Sequence, residues 1–169
     1  RHDMLTRPVI GWFSSRLGAQ PVLRQAEIRR GVASQEDAKR INSESMLIIA
    51  ECIAHGHATA LFPEGTSHED ARMKRLRTGP MRTVIAAHSI SHEKGFSPAR
   101  LIPVGLHYRI FWKFRTELYV EYGEPVPKHD LLHSAVDRQR LLTGEWVEAP
   151  ADCVHTLRDR VQVALSHLT

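Results

Sequence analysis

An apolar run over residues 58–62 ends abruptly at Pro63 and gives way to the polar, glycine-bearing residues 64–67. The run is typical of a buried β-strand, and Pro63 ends it because proline has no backbone N–H to donate to a neighbouring strand. Open α/β sheets bind their ligands at the carboxyl ends of strands. The sequence therefore predicts a buried strand that leads directly into a ligand-binding loop.

A long amphipathic helix is predicted immediately before this strand, over residues 35–54. Ser34 is its predicted N-cap, and Gly56 is predicted to end it. Its predicted buried stripe consists of Ile41, Ser45, Ile48 and Cys52, with Leu47 and Ala54 beside it. This helix and the strand after it form a helix–strand unit.

The rest of the sequence alternates helical and extended patterns, with no internal repeat or linker. Further helices are predicted over residues 8–17, 79–87, 129–141 and 154–168, and further strands over residues 101–106 and 116–122. The strand over 101–106 is expected to be buried, although Pro103 indicates an edge or irregular position. We expect a single α/β domain in which a mixed β-sheet is flanked by helices.

Composition describes an ordinary folded domain with a basic surface. The 169 residues include 42% hydrophobic and 25% charged residues, and the formal net charge is +4. This length suits one domain with a sizeable core. A basic surface suits phosphorylated substrates, anionic lipid or nucleic acid, while a merely solubilising charge is an equally good alternative.

Cysteine spacing and apolar run length limit the class of protein further. Cys52 and Cys153 fit no metal or disulfide spacing, so we expect two packed thiols in a reducing compartment. No apolar run approaches the roughly 18 residues that a membrane span needs, and there is no signal-peptide pattern. The chain begins with Arg1, which suggests a fragment or a processed form.

The loop after Pro63 has the residue types of a phosphate site. Gly65 allows close approach of a ligand, and the hydroxyls and amides of Thr66 and Ser67 can bind phosphate oxygens. Glu64 can accept from a substrate hydroxyl or hold a nearby arginine. Arg24, at the end of an extended segment, can make a two-pronged phosphate contact. The alternatives are a plain strand-to-helix turn and a surface arginine.

A basic cluster follows this loop and consists of Arg72, Lys74, Arg75, Arg77 and Arg82. It can steer an acidic substrate or contact anionic headgroups, and a solvated loop without a partner is an equal alternative. Aromatic residues are not interleaved with it, so it gives little support for nucleic-acid binding. The eleven histidines show no metal-ligand spacing, and we therefore predict no metal site.

Residues 62–66 resemble the third motif of the glycerolipid acyltransferase family, which esterifies glycerol 3-phosphate or lysophosphatidate. Residues 7–24 resemble the family's second block, which ends in an arginine. The sequence is similar to further family segments at residues 76–79, 102–106, 105–108, 113–115 and 122–125. The last three look closest to the branch that acylates glycerol 3-phosphate or dihydroxyacetone phosphate. The resemblance covers residues 5–127 and leaves a helical C-terminal extension over 128–169.

One family motif is missing. The family's first motif is a His followed by four residues and an Asp, and it supplies the catalytic base. None of the eleven histidines here has an aspartate five positions later. We expect this motif upstream of Arg1, so residues 1–169 are interpreted as an N-terminally truncated acyltransferase domain without a catalytic residue of its own.

The resemblance implies a mechanism for the intact protein. The upstream His takes the proton of an acceptor hydroxyl that attacks an acyl thioester, so acyl-CoA or acyl-carrier protein is a co-substrate and no metal or redox cofactor is needed. Arg24 and the loop hold the acceptor's phosphate, and Glu64 positions its glycerol portion. The implied substrate-binding residues are Arg24, Phe62, Pro63, Glu64, Gly65 and Thr66, with Ser67, Arg77 and Pro103 in secondary positions.

Expected partners follow from the same resemblance. They are a phosphorylated glycerol acceptor, an acyl thioester donor and, through peripheral contact, the anionic cytoplasmic side of a membrane; nucleic acid is not expected. The alternative is a non-catalytic lipid- or phosphate-binding module on the same scaffold. A sequence upstream of Arg1 that contains the His–Asp motif favours the enzyme, and one that lacks it favours the module.

Overall fold

A computed structural model describes residues 8–23, 28–65, 73–110, 112–113 and 115–168. Its helices are α1 (Pro8–Arg16), α2 (Gln35–Ala54), α3 (Gly79–Glu93), α4 (Ala135–Leu142) and α5 (Ala151–Ser166), and its strands are β1 (Val104–Tyr108) and β2 (Leu118–Tyr122). The expected combination of helices and strands is confirmed. In the described part of the chain the sheet has two antiparallel strands, not the mixed arrangement that the sequence predicts.

Helix α2 begins and ends where its capping residues predict. The Ser34 hydroxyl accepts a hydrogen bond from the Asp37 backbone N–H at 3.0 Å, which satisfies one of the free donors of the first turn. Gly56, just beyond the helix, has a φ of +88°, a conformation that favours glycine. Local chemistry therefore sets both ends of this helix.

The buried face of α2 agrees with the predicted stripe only in part. Its buried residues are Ala38, Ser45, Leu47, Ala50 and Ala54. Ile48 and Cys52 are exposed, so their assignment to the core was wrong. Helix α2 turns its small residues toward α3, because short side chains let two helices approach closely. Both thiols are free, and Cys153 is half-buried against the core.

Helix α3 lies at the centre of the core, and every residue from 83 to 91 is buried. Ala86 and Ala87 pack against α2, while Val84 and Ile85 belong to a second cluster that includes Leu157 of α5. A helix buried on all sides is typical of a domain centre. The α3 backbone is therefore the scaffold on which the other helices pack.

Two polar pairs connect α3 to the segment before α4. Ser89 Oγ accepts from the His133 N–H at 3.0 Å and lies 3.1 Å from His133 Nδ1, while His133 Nε2 lies 3.3 Å from the Val147 carbonyl oxygen. This arrangement suits a neutral imidazole with its proton on Nε2. His88 Nδ1 lies 3.3 Å from the Nζ of Lys128, which is also buried. The core thus contains two buried imidazoles. The neutral form of His133 has hydrogen-bond partners, and burial disfavours the protonated form of both.

The predicted strand over residues 58–62 is wrong. These residues are irregular in the structure, and Phe62 is 74% exposed. A strand needs neighbouring backbone groups to pair with, and the ladder seen in the described ranges joins β1 to β2. The apolar pattern did predict contact with the core correctly for Leu61, which packs against it.

The strand predicted over 101–106 is shifted and less buried than expected. Its ladder begins at Val104, just after Pro103, which confirms the irregular position predicted for that proline. Val104 and Leu106 are exposed, so the prediction of a buried strand was wrong. The register pairs Val104 with Tyr122 and Leu106 with Val120. The two strands therefore form a ribbon with an exposed face.

No helix within the described ranges is long and apolar enough to cross a membrane.

The two buried imidazoles predict a loss of stability in mild acid. Burial lowers the pKa of His133, and burial followed by the nearby Lys128 ammonium lowers that of His88, both from 6.5. The unfolded chain therefore binds protons below pH 6.5 that the folded chain resists. We expect the free energy of unfolding, measured by urea denaturation, to decrease as the pH falls from 7 through 6 to 5.

Two substitutions separate this effect from general acid sensitivity. His133→Asn retains a polar group near Ser89 but removes the titration, so the pH dependence should become shallower. His155→Gln, at an exposed position of helix α5, should keep the pH dependence of the original chain. Equal slopes for all three proteins would contradict the assignment.

Candidate functional site

A tight turn over residues 62–65 stands at the predicted site. The Gly65 N–H donates to the Phe62 carbonyl oxygen at 3.1 Å, with Pro63 and Glu64 in the two central positions. Proline favours the first central position of such turns because its φ is already fixed. Gly65 has a φ of +67°, where an L side chain is strained. The turn is thus dictated by its own residues.

The turn lies against the residue that precedes α3. The Arg77 N–H donates to the Pro63 carbonyl oxygen at 2.7 Å. A β-carbon added to Gly65 would lie 3.3 Å from Arg77 Cγ, so the glycine provides the space over which this side chain passes. The structure therefore brings Pro63, Gly65 and Arg77 together, three of the residues predicted for the site.

Both parts of this site are anchored in one apolar cluster. Leu76 is buried in it, and Leu61 and Met73 pack against it. Leu61 is followed by Phe62 and Leu76 by Arg77, and both following residues are exposed. Glu64 is half-buried between these two environments. The core therefore holds the backbone while the predicted substrate-binding side chains remain accessible.

The start of α3 places positive charge beside the turn, while Glu64 of the turn carries a negative charge. The first turn of α3 contains no acidic residue, and its N-cap Thr78 makes no side-chain capping bond. Backbone N–H groups at a helix start carry partial positive charge, and the Arg77 guanidinium adds a full one. The Gly65 N–H is already used by the turn, so its contribution is space and not a donor.

The segment that precedes the predicted site residue Arg24 is held by contacts that the sequence interpretation missed. The Asn42 side chain accepts from the Leu23 N–H at 2.8 Å and donates to the Leu23 carbonyl oxygen at 2.9 Å. Ser45 Oγ donates to the Pro21 carbonyl oxygen at 2.6 Å. Asparagine is a poor helix former, so its place inside α2 was the available signal. These bonds fix the chain immediately before Arg24.

Several predicted site residues lie outside the described residues. They are Arg24, Thr66, Ser67 and Arg72, and their proposed contacts stay predictions.

Two other predicted residues have structural partners. Pro103 is buried, and its Cγ lies 2.8 Å from the position of a β-carbon at Gly123. Its contact is therefore a close packing contact beside the ribbon. Arg82 Nη1 lies 2.9 Å from Glu148 Oε2, so this member of the basic cluster has a carboxylate partner within the chain.

The described ranges contain no group of three or more His, Cys, Asp or Glu side chains that could hold a metal ion.

Comparison with known proteins identifies the family. A family model described as Acyltransferase matches residues 1–107, which is more than half of the chain. The chain belongs to the acyltransferase family. The match includes the 62–65 turn, Arg77 and all of α3, so the site described above lies within the range that the family model matches. The resemblance that the sequence motifs indicate is confirmed.

Two curated yeast proteins are similar to this acyltransferase-family chain. It is 25% identical to Glycerol-3-phosphate O-acyltransferase 1 of Saccharomyces cerevisiae over 121 residues, which are 72% of this chain and 14% of that protein. It is 28% identical to Glycerol-3-phosphate O-acyltransferase 2 of the same yeast over 85 residues, which are 50% of this chain and 11% of that protein. The chain therefore spans a small part of these relatives. No solved structure matches it.

The contact between Gly65 and Arg77 generates a stability prediction. In Gly65→Ala, the added methyl group should cost about 1–2 kcal/mol of unfolding free energy for the left-handed backbone, plus the displacement of Arg77. Gly144→Ala is the matched control because Gly144 has a φ of +84° and no atom within 4 Å of its added β-carbon. It should lose the backbone contribution alone.

A double-mutant cycle isolates the contact. Combining each alanine variant with Arg77→Ala and measuring urea denaturation should reveal coupling between positions 65 and 77 but not between 144 and 77. Additive free energies at positions 65 and 77 would show that the glycine does not support the arginine side chain.

Proposed function

We propose that the protein to which these residues belong transfers a fatty acyl group to a phosphorylated glycerol. The acceptor is glycerol 3-phosphate, dihydroxyacetone phosphate or lysophosphatidate, and the donor is acyl-CoA or acyl-carrier protein. The observation that supports this most directly is the 62–65 turn held against Arg77 at the start of α3, within the range that matches the acyltransferase family. The names of the two yeast relatives agree with this choice of acceptor.

The chemistry assigns binding roles to the residues of this chain. Arg24, Arg77 and the backbone and hydroxyl of Thr66 hold the phosphate, because a guanidinium and nearby donors match its oxygens. Glu64 accepts from a glycerol hydroxyl and orients the acceptor. The reacting hydroxyl oxygen attacks the thioester carbonyl carbon, its proton passes to the base, and the thiolate leaves with a proton returned by that base.

The general base is supplied from outside residues 1–169. No histidine of this chain has an aspartate five positions later, the spacing that the family's first motif requires. We place this motif in another part of the protein. The thioester supplies the free energy, so the proposed reaction requires no metal or redox cofactor.

The proposed setting is the cytoplasmic surface of a membrane, which the protein contacts peripherally. The acyl donor and the product are both lipid-like, and the net charge of +4 complements anionic lipid.

A non-catalytic phosphate- or lipid-binding module on the same scaffold is the second candidate. The observation in its favour is that the 169 residues contain the predicted binding residues but no His–Asp pair with the family spacing. Binding of the acceptor without acyl transfer by the full-length protein would support this module over the enzyme.

Substitution of Glu64 tests the proposed role of the turn. In the full-length protein, Glu64→Ala should lower kcat/KM for acyl transfer by about 10- to 100-fold, since a hydrogen bond to a charged group contributes about 1.5–3 kcal/mol. Glu36→Ala removes an exposed glutamate outside the segments that resemble the family and is the matched control, with an expected rate close to that of the original protein. Circular dichroism should show both variants folded.

Arg24→Ala should raise KM for the phosphorylated acceptor while leaving KM for the acyl donor nearly unchanged. Wild-type kinetics in soluble, folded Glu64→Ala and Arg24→Ala proteins would remove both residues from the proposed site.

Residues 1–169 alone should transfer acyl groups at a rate lower by about 10²–10⁴-fold than the full-length protein, which is the usual loss when a general base is removed. The measurement is release of free thiol from an acyl thioester in the presence of glycerol 3-phosphate. Transfer by the isolated chain at the full-length rate would refute the external base.

A further inference from the structure

The ribbon of β1 and β2 has one strongly apolar face. Alternate residues of a strand share a face, and so do residues directly opposite each other on neighbouring strands. Three cross-strand pairs therefore lie on the same side, and all six side chains are apolar or aromatic and between 37% and 72% exposed. The ribbon face consists of Val104, Leu106, Tyr108, Leu118, Val120 and Tyr122.

The opposite face of the ribbon differs in character. A β-carbon at Gly105 would lie 3.3 Å from the Cβ and carbonyl oxygen of Leu168, so the end of the chain packs there. On the same side, His107 Nε2 lies 3.2 Å from Glu121 Oε2. Leu168 thus packs against part of this side, which also carries the charged pair and the exposed Tyr119, and the ribbon face is directed away from Leu168.

The loop at the end of the ribbon adds an aromatic ring and cations. Trp112 is 88% exposed, the highest value for any large hydrophobic residue in the described ranges. Lys113 and Arg115 are exposed beside it. Arg109 Nη1 lies 2.9 Å from Glu117 Oε2 where the two strands leave the ladder, so the acidic residue of this region is paired with an arginine. The accessible end of the ribbon combines an indole with positive charge.

Apolar side chains, an indole and cations on one surface are more typical of contact with a membrane than of a surface exposed to water or of an ordinary protein interface. Exposed apolar patches of this kind mark binding surfaces. Tryptophan and tyrosine favour the boundary between headgroups and acyl chains, where their rings meet apolar groups and their polar atoms meet water. Lysine and arginine side chains near this boundary reach the phosphates of anionic lipids. A protein partner would satisfy the apolar face but would not require cations beside the exposed indole.

We propose that the ribbon face and the Trp112–Lys113 loop form the surface through which this protein docks onto an anionic lipid bilayer. The proposal deepens the proposed function and rests on it for its setting, because the acyl substrates and products of that reaction reside in membranes. It places docking on the ribbon and not on the basic cluster that follows the 62–65 turn. The ribbon and its loop include the apolar contact that such a surface needs.

Vesicle sedimentation tests the assignment with the 169-residue chain. The chain should bind vesicles of phosphatidylcholine and phosphatidylglycerol and bind pure phosphatidylcholine more weakly. Trp112→Ala and Lys113→Glu should each weaken binding to the anionic vesicles about tenfold. The matched controls are Trp12→Ala, which removes another exposed indole, and Arg75→Glu, which reverses an exposed charge of the basic cluster. Both controls should bind nearly as the original chain does.

Fluorescence gives an independent measurement. In a chain whose Trp12 and Trp146 are replaced by Phe, the emission of Trp112 should shift to the blue on addition of the anionic vesicles. Unchanged emission would overturn the proposal, and so would loss of binding in the Trp12→Ala or Arg75→Glu protein but not in the ribbon variants. A dimer that the ribbon variants dissociate, found together with no vesicle binding, would assign the ribbon face to self-association instead.

Docking and catalysis can fail separately. Acyl transfer by the full-length protein from a short, water-soluble thioester to glycerol 3-phosphate does not require a bilayer. Ribbon variants that retain this transfer but lose vesicle binding would support the docking surface. Vesicle binding through the ribbon in a full-length protein without any acyl transfer would leave the docking proposal intact and refute the proposed function.

Discussion

The burial of α3 on all sides is the constraint on which the rest of the structure depends. Residues 83–91 are all buried, and this helix supplies side chains to both apolar clusters. Its position therefore fixes α2 on one side and α5 on another. Because Arg77 and the 62–65 turn lie at its beginning, the candidate site inherits its position from the most buried helix of the described chain.

Polar groups in this core restrict how α3 can be rotated. Ser89 accepts from the His133 backbone and also contacts the His133 ring, so a small rotation of the helix would leave several buried groups without partners. An unsatisfied buried donor costs about 1–3 kcal/mol, more than most apolar rearrangements recover. The Ser89–His133 pair thus favours one rotation of α3 over others that its alanine-rich surface would tolerate. Because this pair buries a histidine, it also makes the fold sensitive to acid.

The sequence predicted the features that depend on local chemistry. Ser34 and Gly56 located the ends of α2, and the proline and glycine of the 62–65 turn located the loop. The strand predicted over 58–62 failed because pairing depends on residues far away in the sequence. For the same reason the role of Asn42 was missed, since its partner Leu23 lies in a different element. The family resemblance was readable because its motifs are short and local.

Two segments that carry or adjoin predicted site residues are attached to different helices. Asn42 holds the segment before Arg24 on α2, and the bond from Arg77 to Pro63 holds the turn at α3. Small alanines lie where α2 and α3 meet, and they let these two helices pack closely. Through these alanines, the backbone before Arg24 and the 62–65 turn are held by two helices that pack directly on each other.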